Sequence, residues 1–274
     1  MIRVFLTAIT LGLLSFNSPA SAPEPAAANP AALEARADAL LAHGGAEGAA
    51  AAAMEVAFDN HVKELYDAAG LAQKGLSYDV FEKAVVGFQN FKRLQMVAPE
   101  KSILSVVDFT KSSTQKRLWI IDLNNKKVLF NTLVAHGRNT GQNTATQFSN
   151  EYGSNKSSLG FYITDATYYG KHGLSLRLQG MDEGFNHKAM ERAIVVHGAD
   201  YATEAFVKQN GRLGRSLGCP AVPTEVSKQV IETIKDQSVL YIHGKDATYT
   251  SRFLDNSKAI EYFAAQSLTD MLNS

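Results

Sequence analysis

The stretch RAIVVHGADYATEAFVKQNGRLGRSLGCPAV, residues 192–222, contains the only cysteine of the chain, Cys219. An apolar run over residues 194–196 predicts a buried β-strand that holds His197 at its end. Gly218 stands immediately before the cysteine, where glycine permits a tight turn and a close approach of the backbone. A cysteine on such a turn and a histidine at a strand end are the two groups that a thiol nucleophile and its general base require. Spacing alone leaves a buried structural cysteine as the alternative.

Other residues of the same stretch have the chemistry to hold a substrate. We expect the backbone N–H groups of Gly218 and Cys219 to face the oxygen of an attacked carbonyl. Arg212 and Arg215 flank the turn, and a guanidinium binds a carboxylate through two parallel hydrogen bonds. A solvated basic loop is the alternative for these two arginines. Ser216 either contacts the substrate or forms hydrogen bonds within its own turn.

The histidine-glycine pair followed by S-x-G-C resembles the signature of the L,D-transpeptidases of bacterial cell walls, the YkuD-like family. Residues 211–222 are most similar to the branch of murein L,D-transpeptidase catalytic domain proteins. The resemblance covers roughly residues 76–244 and includes four further blocks in the same order: VAHGRNTG from Val134, ATQFSN from Ala145, SSLGFYIT from Ser157 and GKHGLSLRLQG from Gly170.

Three features of this stretch depart from the common family motif. Cys219 lies 22 positions after His197, a gap somewhat longer than usual. Leu217 stands where histidine is common, and Pro220-Ala221 stand where arginine or asparagine soon follows the cysteine. The departures at Leu217 and Pro220 bear on substrate preference.

The resemblance implies a role for each residue of the site. Cys219 is the nucleophile and His197 the base, and the backbone carbonyl of Gly198 orients the imidazole ring. Asp200 is the second candidate for that orienting group. We expect the imidazole to hold Cys219 as a thiolate, with its pKa well below the usual value of about 8.5. His172, in the GKHG block, is expected to line the cleft opposite His197, with a structural role as the alternative.

The resemblance also implies the reaction and its substrate. The partner is a peptidoglycan stem peptide, whose D-alanine and diaminopimelate carboxylates suit the arginines of the site. The expected activity is L,D-transpeptidation, in which a Cys219 thioester gives 3→3 cross-links. The alternatives are an L,D-carboxypeptidase that hydrolyses the same thioester and a catalytically silent wall-binding module.

Composition and histidine spacing exclude other classes of protein. Lys+Arg and Asp+Glu both number 27, so the chain lacks the basic excess of a nucleic-acid binder. Zinc sites built on histidine pairs show short spacings such as H-x-x-x-H. The four histidine-glycine pairs do not have that spacing: they begin at His136, His172, His197 and His243. We therefore expect neither a metal nor another cofactor.

The first half of the chain predicts an exported protein with a helical segment before its catalytic domain. Residues 1–22 read as a secretory signal peptide, with Arg3, a short apolar core and a small-residue cleavage pattern. Export places the protein in the periplasm or cell envelope, without stable membrane insertion after cleavage. Residues 23–53, rich in alanine and proline, are typical of a linker that contains a frayed helix over residues 31–42. Residues 54–100 have a helical pattern.

From residue 103 the apolar period changes to two, which predicts strands. We expect strands over residues 103–109, 117–123, 127–134, 159–164, 174–178 and 193–196, a helix over 224–236 and a last strand over 238–243. A long polar loop over residues 136–158 is typical of a functional segment. The fold class is α+β, with a β-rich sandwich or barrel-like catalytic core over residues 101–250, helices before it, and a tail over 251–274 with a terminal helix.

Overall fold

The computed structural model describes residues 30–272, with side chains from residue 47 onward except that of residue 270. The signal peptide over residues 1–22 and the first part of the linker lie outside the described residues. The helices are α1 Pro30–Ala68, α2 Tyr78–Arg93, α3 Glu204–Asn210, α4 Thr224–Ile234 and α5 Asn256–Leu272, with short 3₁₀ helices at Asp200–Ala202 and Arg252–Leu254. The strands are β1 Ile103–Asp108, β2 Leu118–Asp122, β3 Lys127–Thr132, β4 Gly160–Gly170, β5 Gly173–Gly180, β6 Val195–Gly198, β7 Ala221–Val222 and β8 Val239–His243.

The eight strands form one mixed sheet in the order β3-β2-β1-β8-β4-β5-β6-β7. The pairs β1–β8 and β6–β7 are parallel, and the other neighbours are antiparallel. Just beyond β3, Ala135 pairs with Ala221 of β7 through two backbone hydrogen bonds of 2.8 and 3.3 Å. This bridge joins the two edges of the sheet, so the sheet is a nearly closed barrel. The α+β class with a barrel-like core is confirmed.

Alternate residues of each strand face two different hydrophobic layers. On β2, Trp119 and Ile121 pack with α1, α2 and α5, whereas Leu118 and Ile120 pack inside the barrel with α4. The same alternation holds on β8, where Tyr241 faces the helices and Ile242 faces α4. Because both faces are covered in the middle of the sheet, nearly every position of β1, β2 and β8 is buried, whereas β3 and the far ends of β4 and β5 are partly exposed. Each large buried side chain contributes roughly 1.5–3 kcal/mol.

The N-terminal helix is longer than the sequence predicts, since only a frayed helix over residues 31–42 is expected in the linker up to residue 53. Helix α1 runs unbroken from Pro30 to Ala68, through Gly44, Gly45 and Gly48. Alanine has the highest helix propensity of all residues, so a run of alanines compensates for the cost of about 1 kcal/mol at each glycine. Within residues 30–272, no helix combines the length and the apolar character that crossing a membrane requires.

Two helices begin without the usual cap, in which a serine or threonine side chain accepts a backbone hydrogen bond. Ser77 precedes α2 in extended backbone geometry, but its side chain forms no capping hydrogen bond. Thr224 is the first residue of α4 rather than its cap, and its Oγ1 donates to Asp200 Oδ1 at 2.7 Å. Pro223 occupies the cap position of α4. Strands β4 and β5 are longer than predicted. β4 continues to Gly170 and β5 begins at Gly173, so the two strands form a hairpin with Lys171 and His172 at its tip.

Candidate active site

The parallel pairing of β6 with β7 places the cysteine beside the strand that ends at the histidine. His197 is level with Ala221 in this pair, so two residues earlier Cys219 lies beside Val195. The Val195 N–H donates to Cys219 Sγ at 3.5 Å, and the thiol donates to the Ala193 carbonyl at 3.7 Å. These are weak contacts of a thiol that is partly accessible to solvent. The sheet therefore holds the sulfur and the imidazole on neighbouring strands.

Two serines hold the turn that carries the cysteine. Ser216 Oγ donates to the Cys219 carbonyl at 2.6 Å and accepts from the Gly218 N–H at 3.0 Å. Ser157 Oγ donates to the Gly218 carbonyl at 3.0 Å and accepts from the Gly137 N–H at 3.0 Å. Gly218 adopts a φ of +132°, a conformation that side chains rarely allow. Ser216 thus forms hydrogen bonds within its own turn, which was one of its two predicted roles.

This arrangement changes the expected oxyanion site. The Gly218 N–H points to Ser216 Oγ, so it is directed into the turn and not toward an attacked carbonyl. Among the residues that the structure describes, no other residue accepts a hydrogen bond from the Cys219 N–H, whose partner is its own sulfur. One backbone donor beside the sulfur, rather than two, is therefore free to meet a developing negative charge.

His197 has a fixed ring orientation and a defined tautomer. Its Nδ1 lies 2.9 Å from the Gly198 carbonyl, which is only an acceptor, so Nδ1 carries the proton and Nε2 of the neutral ring has a free lone pair. The histidine is 2% exposed, and this burial lowers its pKa. Asp200, the second candidate for the orienting group, accepts from Thr224 instead. His197 is therefore neutral at neutral pH.

The expectation of a resting thiolate on Cys219 is wrong. Burial raises the pKa of the Cys219 thiol, and the Val195 N–H and the positive charges of Arg192 and Lys171 oppose this rise only in part. With the thiol pKa raised and the histidine pKa lowered, the resting pair is a neutral thiol and a neutral imidazole.

Cys219 and His197 line one cavity of about 400 Å³. The cavity is also lined by Tyr168, Gly170, Lys171, His172, Ser175, Arg192, Ala193, Ile194, Val195, Tyr201, Arg215, Ser216 and Leu217. Three of these side chains are cationic and none is a carboxylate, so the cavity attracts anionic groups. Leu217, which replaces the common histidine, is 56% exposed at its edge.

The structure treats the other predicted site residues differently. His172, at the tip of the β4–β5 hairpin, lies over the ring of His197 and lines the cavity. Arg215 also lines the cavity, and its Nη1 donates to the carbonyls of Arg138 at 2.9 Å and Gly141 at 3.1 Å. Arg212 donates to the Leu213 carbonyl at 2.7 Å and is absent from the residues that line this cavity.

Lys171, Arg192 and Tyr201 are among the cavity-lining residues that sequence reasoning missed. Lys171 stands within the GKHG block, whose glycines indicate a turn between two strands and could have pointed to this residue. Arg192 is the charged residue just before the apolar run of β6, a position that sequence alone does not connect with Cys219. No cluster of metal-ligating side chains occurs among the residues for which side chains are described.

Comparisons with known proteins give low overall similarity to solved structures. An L,D-transpeptidase from Mycobacterium smegmatis matches with 12% identity and a TM-score of 0.33, over 52% of this chain and 59% of that one. The helical cell shape determining protein Pgp2 from Campylobacter jejuni matches with 14% identity and a TM-score of 0.33, over 66% and 64%. An L,D-transpeptidase from Stackebrandtia nassauensis matches with 15% identity and a TM-score of 0.31, over 69% and 78%.

The chain thus spans less than two thirds of the first two of these structures, and the likeness is one of fold alone. No curated protein matches the chain. The family model of the L,D-transpeptidase catalytic domain (YkuD_2), in contrast, matches residues 72–243, which is more than half of the chain. The chain therefore belongs to the L,D-transpeptidase catalytic domain family, a family of transpeptidase-type enzymes that modify peptidoglycan.

Proposed function

We propose that this chain is an exported cysteine acyltransferase that forms 3→3 cross-links between peptidoglycan stem peptides through a thioester on Cys219. The proposal is carried by one observation. Cys219, on its glycine turn, and His197, with its ring held by the Gly198 carbonyl, line the same cavity from neighbouring strands. A nucleophile, a base and an orienting acceptor are the parts that acyl transfer requires.

In the first half-reaction, Cys219 Sγ attacks the carbonyl carbon of the L-centre of a tetrapeptide stem. The S–C bond forms as the thiol proton moves to Nε2 of His197, and the Cys219 N–H donates to the oxyanion. The C–N bond to the terminal D-alanine then breaks. The departing amine takes the proton from His197, and an acyl thioester is left on the enzyme.

In the second half-reaction, an amine of another stem attacks the thioester. Its proton moves to His197, the C–S bond breaks, and the sulfur recovers the proton as the new amide forms. If water attacks instead, the same thioester is hydrolysed and the enzyme is an L,D-carboxypeptidase. The chemistry of the two outcomes differs only in the attacking group, so access of the acceptor to the cavity decides between them.

The thiol must change partners during this cycle. In the resting structure its neighbours are the Val195 N–H and the Ala193 carbonyl. We propose that substrate binding turns the thiol toward the imidazole of His197, because catalytic hydrogen bonds are often long or misaligned before the substrate is bound.

The charge of the cavity supports a substrate with free carboxylates. Lys171, Arg192 and Arg215 line it, and no aspartate or glutamate does. Stem peptides carry carboxylates on D-alanine and, in many bacteria, on diaminopimelate. Arg215 is the candidate for direct contact, because its Nη1 is taken by backbone carbonyls while the rest of the guanidinium remains at the cavity wall. Export is proposed from residues 1–22, and N-terminal sequencing of the mature protein from cell fractions tests it.

Mass spectrometry of purified muropeptides incubated with the protein tests the function. A 3→3 linked dimer with release of D-alanine is the expected product. If a free tripeptide stem forms and no dimer does, the activity is that of an L,D-carboxypeptidase and not of a transpeptidase. Cys219→Ala is the matched control and should give neither product. No reaction on tetrapeptide muropeptides by the unaltered protein would exclude both enzymes and leave a wall-binding module.

A further inference from the structure

The guanidinium of Arg192 is fixed by four hydrogen bonds, all to uncharged acceptors. Nη1 donates to the Ser149 carbonyl at 2.7 Å and to Ser158 Oγ. Nη2 donates to Ser154 Oγ at 3.2 Å and to the Lys156 carbonyl at 2.6 Å. These acceptors all belong to the long loop that precedes β4. They orient the cation and leave its charge in place, because neither a hydroxyl nor a carbonyl neutralises a guanidinium.

The same guanidinium lies directly against the nucleophile turn. A methyl group added to Gly218 would meet Arg192 Nη2 at 3.4 Å, and Gly218 is the residue before the cysteine. Arg192 and Cys219 also line the same cavity. The nearby carboxylate of Glu151 is occupied by Lys188, whose Nζ lies 3.1 Å from it. The charge of Arg192 therefore has no direct carboxylate partner among the described residues.

We infer that Arg192 is the fixed cation that stabilises the negative charge formed on the sulfur of Cys219. This inference rests on the proposed function, in which that sulfur is the reacting atom. In many cysteine enzymes a histidinium stabilises the thiolate, but here His197 is neutral and its Nε2 is needed as a base. An arginine cannot lose its proton at physiological pH, so the positive charge persists throughout the cycle.

The other groups that face Cys219 are less suited to this role. His197 and His172 both have lowered pKa values and are neutral at neutral pH. The Lys171 side chain stands on an exposed hairpin tip, where solvent screens its charge. Tyr201 is neutral, since burial raises the pKa of its hydroxyl to about 12. Arg215 is tied to the carbonyls of Arg138 and Gly141 on the other side of the cavity.

The rate of Cys219 alkylation by iodoacetamide, measured against pH, tests the inference. The thiolate displaces iodide, so the rate follows the thiolate fraction, and the single cysteine makes the signal specific. Arg192→Gln removes the charge and should slow alkylation near pH 7 on the order of tenfold, with rates that converge at high pH. Arg192→Lys keeps a cation and should retain most of the rate. Superimposable profiles of Arg192→Gln and the unaltered protein would overturn the inference.

A second pair of variants keeps Arg192 and its other three hydrogen bonds, and replaces only its acceptor Ser154. Ser154→Asp places a carboxylate against the guanidinium, and Ser154→Asn is the neutral control of similar size. The aspartate variant should slow alkylation near pH 7, and the asparagine variant should not. Equal slowing in both would mean that loop geometry, not charge, controls the thiol, and would contradict the inference. Because alkylation needs no peptidoglycan substrate, this result stands apart from the muropeptide assay: a protein inactive on muropeptides can still show the effect of Arg192.

Discussion

The imidazole rings of His172 and His197 stack with their centroids 4.3 Å apart and their planes at 21°. His172 belongs to the exposed tip of the β4–β5 hairpin, whereas His197 is buried at the end of β6. The contact therefore joins the most accessible part of the cavity wall to the proposed base.

His172→Ala should reduce turnover on muropeptides by about two- to tenfold. This factor corresponds to the loss of one aromatic contact, which contributes roughly 0.5–1.5 kcal/mol. His172→Phe keeps a flat ring in the same place and should restore most of the activity. Steady-state assays on tetrapeptide muropeptides compare the three proteins. If the phenylalanine variant is as impaired as the alanine variant, a ring nitrogen of His172 acts in the reaction and stacking is not its main role.

His197→Ala should lose on the order of 100- to 10,000-fold of the activity, because a positioned general base contributes that much. Only the neutral ring accepts a proton. Burial lowers the pKa of His197, so activity should persist below pH 6.5 and fall at a lower pH, where the ring becomes protonated. His61→Ala is the control, since His61 is half-buried against Phe263 of α5, outside the cavity. Near-normal turnover of His197→Ala would refute its assignment as the base.

A carbapenem should form a single covalent adduct on Cys219. Carbapenems acylate L,D-transpeptidases as a family, and the strained carbonyl needs the nucleophile, base and oxyanion donor that line this cavity. Intact-protein mass spectrometry should show one added drug molecule, mapped to the peptide with Cys219. The adduct should be absent in Cys219→Ala and slow in His197→Ala. No adduct with several carbapenems, combined with no reaction on muropeptides, would falsify the enzyme assignment.

His136 should make the free energy of unfolding depend on pH. Its Nδ1 faces Arg117 Nη2 at 2.8 Å, and burial together with that cation lowers its pKa to about 4. The unfolded chain takes up the proton near pH 6.5 and the folded chain only near pH 4. The contribution is therefore complete above pH 6.5 and is lost progressively as the pH falls toward 4, by about 3 kcal/mol in all.

Denaturant unfolding at several pH values between 7 and 4 measures this dependence. His136→Gln removes the titrating group, so its free energy of unfolding should fall less steeply over the same interval than that of the unaltered protein. Equal slopes in the two proteins would show that other groups cause the acid sensitivity. The comparison uses slopes, so a lower absolute stability of the variant does not affect it.

Much of the fold could be predicted from the sequence, because the period-two pattern from residue 103 onward is local. The strands over residues 103–108 and 239–243 follow the predicted limits within one residue. Within residues 23–53 the sequence indicated only a frayed helix over residues 31–42, and α1 continues beyond it because the helix propensity of alanine outweighs the three glycines. The closure of the barrel at Ala135 and Ala221 was not predictable, since it depends on the pairing of distant edges.

The two central residues of the site, Cys219 and His197, were predictable as a pair because each stands at a recognisable local feature. Their protonation states were not, because the direction of each pKa shift depends on burial by distant segments. His172 reaches His197 only through the length of the β4–β5 hairpin. The Gly218 N–H is not available as an oxyanion donor because it donates a hydrogen bond to the side chain of Ser216, two residues earlier. No local sequence pattern predicts this hydrogen bond.

The bridge between Ala135 and Ala221 has a consequence for how the enzyme loses activity. Ala221 is two residues from Cys219 and level with His197, so the line along which the barrel closes runs beside the proposed catalytic pair. Opening along that line requires the loss of only a few hydrogen bonds, whereas global unfolding requires the loss of both hydrophobic layers. Transient unzipping there would release one edge of β7 and loosen the turn that carries the proposed nucleophile, while the rest of the molecule stays native. Inactivation by mild heat or denaturant would then come before melting and be reversed by reclosure.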